Sequence, residues 1–263
     1  MAALRSPDQP PGRQPVRDRP TVAAFDFDGT LTNSGSVFPW LIALRGPWPV
    51  LRTVVRLAPG LVRAAVMGGA AADEVKEKVF TRLLAGLPVA EVNRRSAAFA
   101  RRHMRRHVRQ DARRRLEWHR GQGHHIVIVS ASPECYVGPS GSEVGADAVV
   151  ATRLAVGGGG ILTGGYEGKN CRGSEKYARL VVHLRSQGLL SANGGVHPVL
   201  WAYGNSRGDL RLLNAADYGV DAGRLGPLGR LRRFPRLAEV AAAAELGHSP
   251  ASARRGRDAD GSA

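Results

Sequence analysis

Asp26 and Asp28, in the stretch Val22-Ala23-Ala24-Phe25-Asp26-Phe27-Asp28-Gly29-Thr30, are the residues of this chain best suited to chemistry. Two carboxylates this close call for a cation or a shared proton. Alternation along a strand would place both on one face, and Gly29-Thr30 permits the sharp turn that exposes them together. The simpler reading of Asp-x-Asp at a strand end is a cap for the following helix. Three other polar positions have a similar setting. Ser130 follows the apolar run 126–129, Lys176 lies in a helical stretch, and the segment from Asn205 to Asp209 follows the run 199–203.

The elements that would position these residues alternate. Residues 22–25 predict a buried strand that delivers Asp26 at its C-terminal edge. From Asn33 to about Val108 the pattern is helical, with helices over 50–67, 72–84 and 88–106 and a break at Gly86-Leu87-Pro88. Arg45, Arg52, Arg56 and Arg63, spaced by seven, four and seven, would share one helix face. That face is either an anion-binding stripe or a solvated surface.

Beyond this block the spacing predicts helix 111–120, strand 126–129, a helix capped by Ser132 with Pro133 at its first position, and strand 147–151. A hairpin over 154–166 follows; its glycines 157–160 are not a phosphate loop, because no strand-to-helix frame surrounds them. Helix 173–187, strand 199–203, helix 210–215, strand 218–220 and a terminal helix 237–245 complete the series. The class is α/β: a Rossmann-like, doubly wound parallel sheet, with ligands outside the strand C-termini. Residues 21–33 and 109–247 would form its core and 34–108 a helical insertion. Residues 1–20 are expected as a disordered leader and 248–263 as a disordered tail.

The 263 residues carry a net charge of +16, and only Lys76, Lys78, Lys169 and Lys176 are lysines among the basic residues. The pI is about 11.2. This favours anionic partners, whether phosphorylated metabolites, nucleic acid or acidic lipid, without choosing among them. Aromatic content of 6% and the absence of a base-stacking platform argue against specific nucleic-acid binding. Weak contact with an anionic membrane stays open. No apolar run reaches the roughly 18–20 residues a bilayer span needs. Cys135 and Cys171 lack metal-type spacing and are expected as free thiols in a cytoplasmic protein, with a single disulfide as the alternative. Oligomeric state is not set by the sequence.

Four segments together, Asp26-Phe27-Asp28-Gly29-Thr30, Ser130, Lys176 and Gly204-Asn205-Ser206-Arg207-Gly208-Asp209, resemble the haloacid dehalogenase-like hydrolase superfamily over about residues 21–230. Within it the chain resembles the phosphoserine-phosphatase-like subfamily IB. The resemblance implies a phosphatase that works through an aspartyl-phosphate on a small phosphorylated metabolite or lipid-derived phosphate. Asp26 would be the nucleophile and Asp28 the general acid and base, with Asp26 ionised against a cation and Asp28 able to hold a proton. Ser130 and the amide of Ala131 would hold a phosphoryl oxygen. Lys176 would neutralise charge. The implied cofactor is Mg²⁺, with Asp26, Asp28 and the first polar residue of the fourth segment as ligands. That residue is usually aspartate and here is Asn205, so Asp209 is a candidate substitute ligand. The insertion 34–108 would be a C1 cap that selects the leaving group, with Lys76, Lys78 and Arg82 as candidate contacts. A glutamate that engages the amino group in phosphoserine phosphatases is replaced here by Gly35. Two alternatives stand beside this reading: a catalytically weak sensor or scaffold of the same fold, suggested by Asn205, and phosphoserine phosphatase proper.

Overall fold

The computed structural model describes residues 19–67, 69–191, 195–223, 231 and 234–240. The expected tail, most of the expected leader and the end of the terminal helix lie outside them. Residues 19 and 20, assigned to the leader, are fixed to the fold. Arg19 donates from Nε to the carbonyl of His197 at 2.6 Å and from Nη2 to that of Pro198 at 2.9 Å.

The central sheet is wholly parallel, as expected. It contains β1 (Thr21–Phe25), β2 (His125–Pro133), β3 (Ala148–Thr152), β6 (Val199–Gly204) and β7 (Tyr218–Asp221), in the order β3-β2-β1-β6-β7. Two further strands, β4 (Leu154–Val156) and β5 (Leu162–Tyr166), form the separate antiparallel hairpin. In β1, Val22 pairs with His125 on one side and Leu200 on the other. The chain therefore winds outward from β1 in one direction and returns to wind in the other. The crevice at the C-terminal ends of β1, β2 and β6 is where such folds bind ligands.

Alternation along β1 sorts the two helical layers. Ala23 and Phe25 face α6 (Gln110–Gly121) and α7 (Glu134–Glu143) through Ala112, Leu116, Tyr136 and Val137. Val22 and Ala24 face α8 (Ser174–Ser186) and α9 (Leu210–Ala215) through Leu180, Leu184, Leu212 and Leu213. By the same parity the residue after Phe25, Asp26, points to the α8 layer, which carries Lys176.

Five helices separate β1 from α6: α1 (Val37–Arg45), α2 (Pro47–Arg56), α3 (Ala58–Met67), α4 (Gly69–Leu84) and α5 (Val89–His107). The helices expected over 72–84 and 88–106 match α4 and α5. The one expected over 50–67 is divided at Leu57, and Arg45, Arg52, Arg56 and Arg63 lie on three helices instead of one continuous face. Gly46, at φ +79°, and prolines 47 and 59 break the run that spacing alone would continue. The insertion shares one apolar cluster with the sheet. Trp40 lies against Tyr136, at 5.0 Å between ring centroids, and its Nε1 donates to Ser96 Oγ at 2.8 Å.

Two contacts hold α4 in place. Gly164 of β5, at φ +85°, lies so close that a Cβ would come within 2.4 Å of the Thr81 Cα. Asn170 donates from Nδ2 to Asp73 Oδ1 at 2.6 Å, near the start of the helix. β2 runs on past Ser130 to Pro133 with a register irregularity between them, and α7 begins at Glu134. Both cysteines carry free thiols; burial pushes Cys135 up to about 12 and Cys171 up to about 11. Among the described residues no helix is long and apolar enough to cross a membrane.

Candidate active site

β1 stops at Phe25, and residues 27–31 form a wide turn with Gly29 at φ +76°. The two aspartates are therefore not consecutive same-face residues of a strand, as their spacing suggested; each reaches a different set of partners. Gly29 is required here twice over. Its φ is in the left-handed region, and a Cβ would stand 2.0 Å from Asn205 Nδ2. Arg109 fixes the turn from beneath. Its Nη1 donates to the carbonyl of Gly29 at 2.7 Å and to that of Ala222, while Asp111 takes Nε and Nη2 at 3.0 and 2.6 Å.

Asp26 is buried. Its Oδ1 accepts from Lys176 Nζ at 2.5 Å and its Oδ2 from Thr30 Oγ1 at 3.1 Å. The same ammonium donates to Asp209 Oδ1, also at 2.5 Å. One buried cation thus serves two buried carboxylates. Burial, then the charge of Asp209, pushes Asp26 up to about 7, against the attraction of Lys176. The readily ionised Asp26 expected above needs more positive charge than these side chains provide. Burial alone would lower Lys176, but Asp26 and Asp209 outweigh it and raise its pKa.

Asp209 is held low, because Lys176 and Ser206 overcome its burial. Its Oδ2 accepts from Ser206 N at 3.0 Å, Ser206 Oγ at 2.8 Å and Asn205 N at 3.2 Å. Both oxygens accept hydrogen bonds, through which Asp209 orders the loop and orients Lys176.

Asp28 is half-buried. Its Oδ1 accepts from the Ser36 amide at 2.7 Å, at the start of α1, and its Oδ2 from Ser132 Oγ at 2.5 Å. Ser36 precedes the first turn of α1, and Asp28 is not itself the cap of that helix. Ser130 Oγ accepts from the Ser132 amide at 3.0 Å, which turns the Ser132 side chain toward Asp28. Asn205 Nδ2 donates to the main-chain carbonyl of Asp28 at 3.0 Å. Asp26, Asp28, Ser130, Ala131, Lys176, Asn205 and Asp209 thus meet at one crevice.

Lys78 does not join them. It is exposed and pairs with Glu74 Oε1 at 2.6 Å. Two residues back on the same helix faces the opposite way, and Lys76 takes the inner position with Nζ 2.6 Å from the Ala131 carbonyl. Loss of hydration brings Lys76 down to about 8, although Asp28 and Asp73 oppose the shift. Arg82 is exposed. Arg109 is a polar group that sequence reasoning missed, while that reasoning assigns Ser132 to a helix cap and Thr30 only to the turn. Their adjacency to Ser130, Asp28 and the helical insertion was the only available signal. A cavity of about 440 Å³ lies between Asp28, Lys76 and Ser132 on one side and Val37, Leu61 and Val79 on the other.

The comparisons agree with this fold. The chain belongs to the haloacid dehalogenase-like hydrolase family, whose sequence profile matches residues 23–214. It is 35% identical over 199 residues to protein CicA of Caulobacter vibrioides, covering 75% of this chain and 84% of CicA. Among solved structures it is similar to a protein of unknown function from Bordetella pertussis Tohama I. That match has a TM-score of 0.67 and 22% identity, and covers 88% of this chain and 97% of the other. A phosphoserine phosphatase solved as a phospho-aspartyl intermediate analogue matches with a TM-score of 0.54 and 20% identity, over 78% of this chain and 87% of that one. At these identities the structural likeness is one of fold.

Proposed function

We propose that the chain is a Mg²⁺-dependent phosphomonoester hydrolase of the phosphoserine-phosphatase-like subfamily IB, acting through an aspartyl-phosphate in the cytoplasm. The observation that carries this reading is the Asp26–Lys176–Asp209 arrangement, with Asp28 and Ser130 beside it in a hydrolase-family fold. Residues 34–108 serve as the cap.

The donor set fits Mg²⁺. Around Lys176 two buried carboxylates, Asp26 and Asp209, share one ammonium, which leaves room for a further cation. Among the described residues no group of three or more His, Cys, Asp or Glu side chains is placed to hold a metal. The donors would be the Asp26 carboxylate, the Asp28 carbonyl and the Asn205 amide oxygen, an all-oxygen set of the kind Mg²⁺ completes with water. The amide already lies against that carbonyl, and exchanging its O and N by rotation presents the oxygen. When bound, the ion supplies positive charge to Asp26 and to the phosphoryl oxygens.

Asp26 attacks phosphorus, and the bond to the leaving oxygen breaks as Asp28 gives that oxygen its proton. Lys176 holds the attacking carboxylate by its other oxygen. Ser130 and the Ala131 amide orient the phosphoryl group, and Lys76 adds charge from the cap side. Asp28 then takes a proton from the water that attacks phosphorus, and Asp26 is released as a carboxylate. Ser132, which donates to Asp28, positions it.

Phosphate release from p-nitrophenyl phosphate, with and without Mg²⁺, tests the reading. Wild-type chain should release phosphate only with the metal, and Asp26→Asn should be inactive. Equal turnover by Asp26→Asn would exclude an aspartyl-phosphate.

A further inference from the structure

Outside the crevice the largest unpartnered feature is the outer face of α1–α3. Eight of the ten exposed large apolar side chains among the described residues lie between Phe38 and Met67, so the exposure is concentrated and not scattered. On α2, Trp48, Leu51 and Val55 sit at i, i+3 and i+7 and are 72%, 51% and 65% exposed, whereas Val50 and Thr53 face inward. On α3, Val62 and Val66 are 65% and 83% exposed. The face is continuous with the site. Phe38 lines both a groove of about 480 Å³ with Ile42, Trp48 and Leu51 and the cavity over Asp28.

The charge on this segment has one sign. Residues 37–67 contain four arginines and no acidic residue. Arg45, Arg52 and Arg56 are exposed; Arg63 meets Glu74 only at 3.9 Å, between two exposed side chains. An exposed apolar stripe bordered by arginines is the composition of a helix that lies in a lipid–water interface. A second copy of the same face would bring arginines against arginines.

We propose that the α1–α3 face docks on an anionic phospholipid bilayer, and that the adjoining cavity takes the acyl-bearing alcohol of an amphiphilic phosphomonoester drawn from it. The substrate half rests on the hydrolase reading above; the docking half does not. Val37, Leu61 and Val79 give the cavity apolar walls, and its polar end holds Asp28, which would protonate the leaving oxygen.

Sedimentation of the full chain with vesicles tests docking. Binding to phosphatidylcholine vesicles that contain phosphatidylglycerol should exceed binding to pure phosphatidylcholine by on the order of 100-fold at low salt, as expected for two or three arginines at an anionic surface. A Trp48→Asp/Val55→Asp variant, shown to be folded by its thermal unfolding, should lose at least about tenfold of that binding. Equal binding to both vesicle types, equal binding by the variant, or a dimer dissolved by the same substitutions in a chain that ignores vesicles would each overturn the proposal. For the substrate half, kcat/KM should rise with chain length from glycerol phosphate to lysophosphatidate. A flat series overturns it, whereas absence of turnover on every phosphomonoester, p-nitrophenyl phosphate included, overturns the hydrolase reading and leaves the vesicle result to decide docking.

Discussion

Asn205 and Lys76 are the residues at which the crevice departs from what its spacing suggests. Asn205 brings oxygen without charge. A unit charge pair about 4 Å apart, at an effective dielectric near 20, is worth roughly 4 kcal/mol before desolvation. If about a third of that survives, Asn205→Asp should lower the half-saturating Mg²⁺ concentration about tenfold, read from a titration of activity. An unchanged value would remove Asn205 from the ligand set. Lys76 carries its proton below about 8 and loses it above, because its crevice lowers the usual lysine pKa. With Lys76 on the cap side of the phosphoryl group, kcat/KM should fall as pH rises through 8, and Lys76→Met should abolish that limb while lowering the plateau. A limb that persists in the variant belongs to another group. Gly29→Ala should eliminate activity, since the added methyl overlaps the Asn205 amide; full activity would mean that the amide is free to leave its place.

The elements differ in how far the sequence disclosed them. β1, β2 and β6 were legible because each is an apolar run that ends in a polar group, and a central parallel strand is buried on both faces. α4 and α5 were legible from periodicity. The division of α1 from α2 was signalled by Pro47 and that of α2 from α3 by Pro59, but the arginine spacing fits one helix equally well. Which of Lys76 and Lys78 faces the site depends on the rotation of α4, which is fixed by the contacts of Asp73 with Asn170 and of Thr81 with Gly164, partners far along the chain. Sequence could not show that Lys176 and the Ser206 amide both bond to Asp209, because these contacts depend on how α8 and the loop after β6 pack. α6 adds a prediction of its own. His119 is buried between Tyr203 Oη and His124 Nδ1, each at 2.7 Å, and burial, aided by Arg115, pushes it down to about 2. The unfolded chain therefore binds a proton below about 6.5 that the folded chain refuses. Stability present above that pH should decline as pH falls toward 2, by up to about 1.4 kcal/mol per pH unit. Melting temperatures between pH 7 and 5 should decline less steeply in His119→Gln, and parallel slopes would place the acid sensitivity elsewhere.

At the scale of the whole molecule, a charge of +16 attracts anions before any contact forms. As ionic strength rises from about 10 mM to about 150 mM the Debye length shrinks from about 30 Å to about 8 Å. kcat/KM for an aryl phosphate should drop severalfold over that range while kcat holds; a matching fall in kcat would point to the site itself being disturbed. The strand order bears on how the molecule is made. Among the described residues β1 is the first strand in the chain and the centre of the sheet, and Lys176 and Asn205 lie 150 and 177 residues from the groups they meet, Asp26 and Asp28. Closure over such distances is slow compared with helix formation. A refolding chain should regain its helical signal well before any turnover, and in a nascent chain Asp26 has no Lys176 to pair with until translation has passed α8.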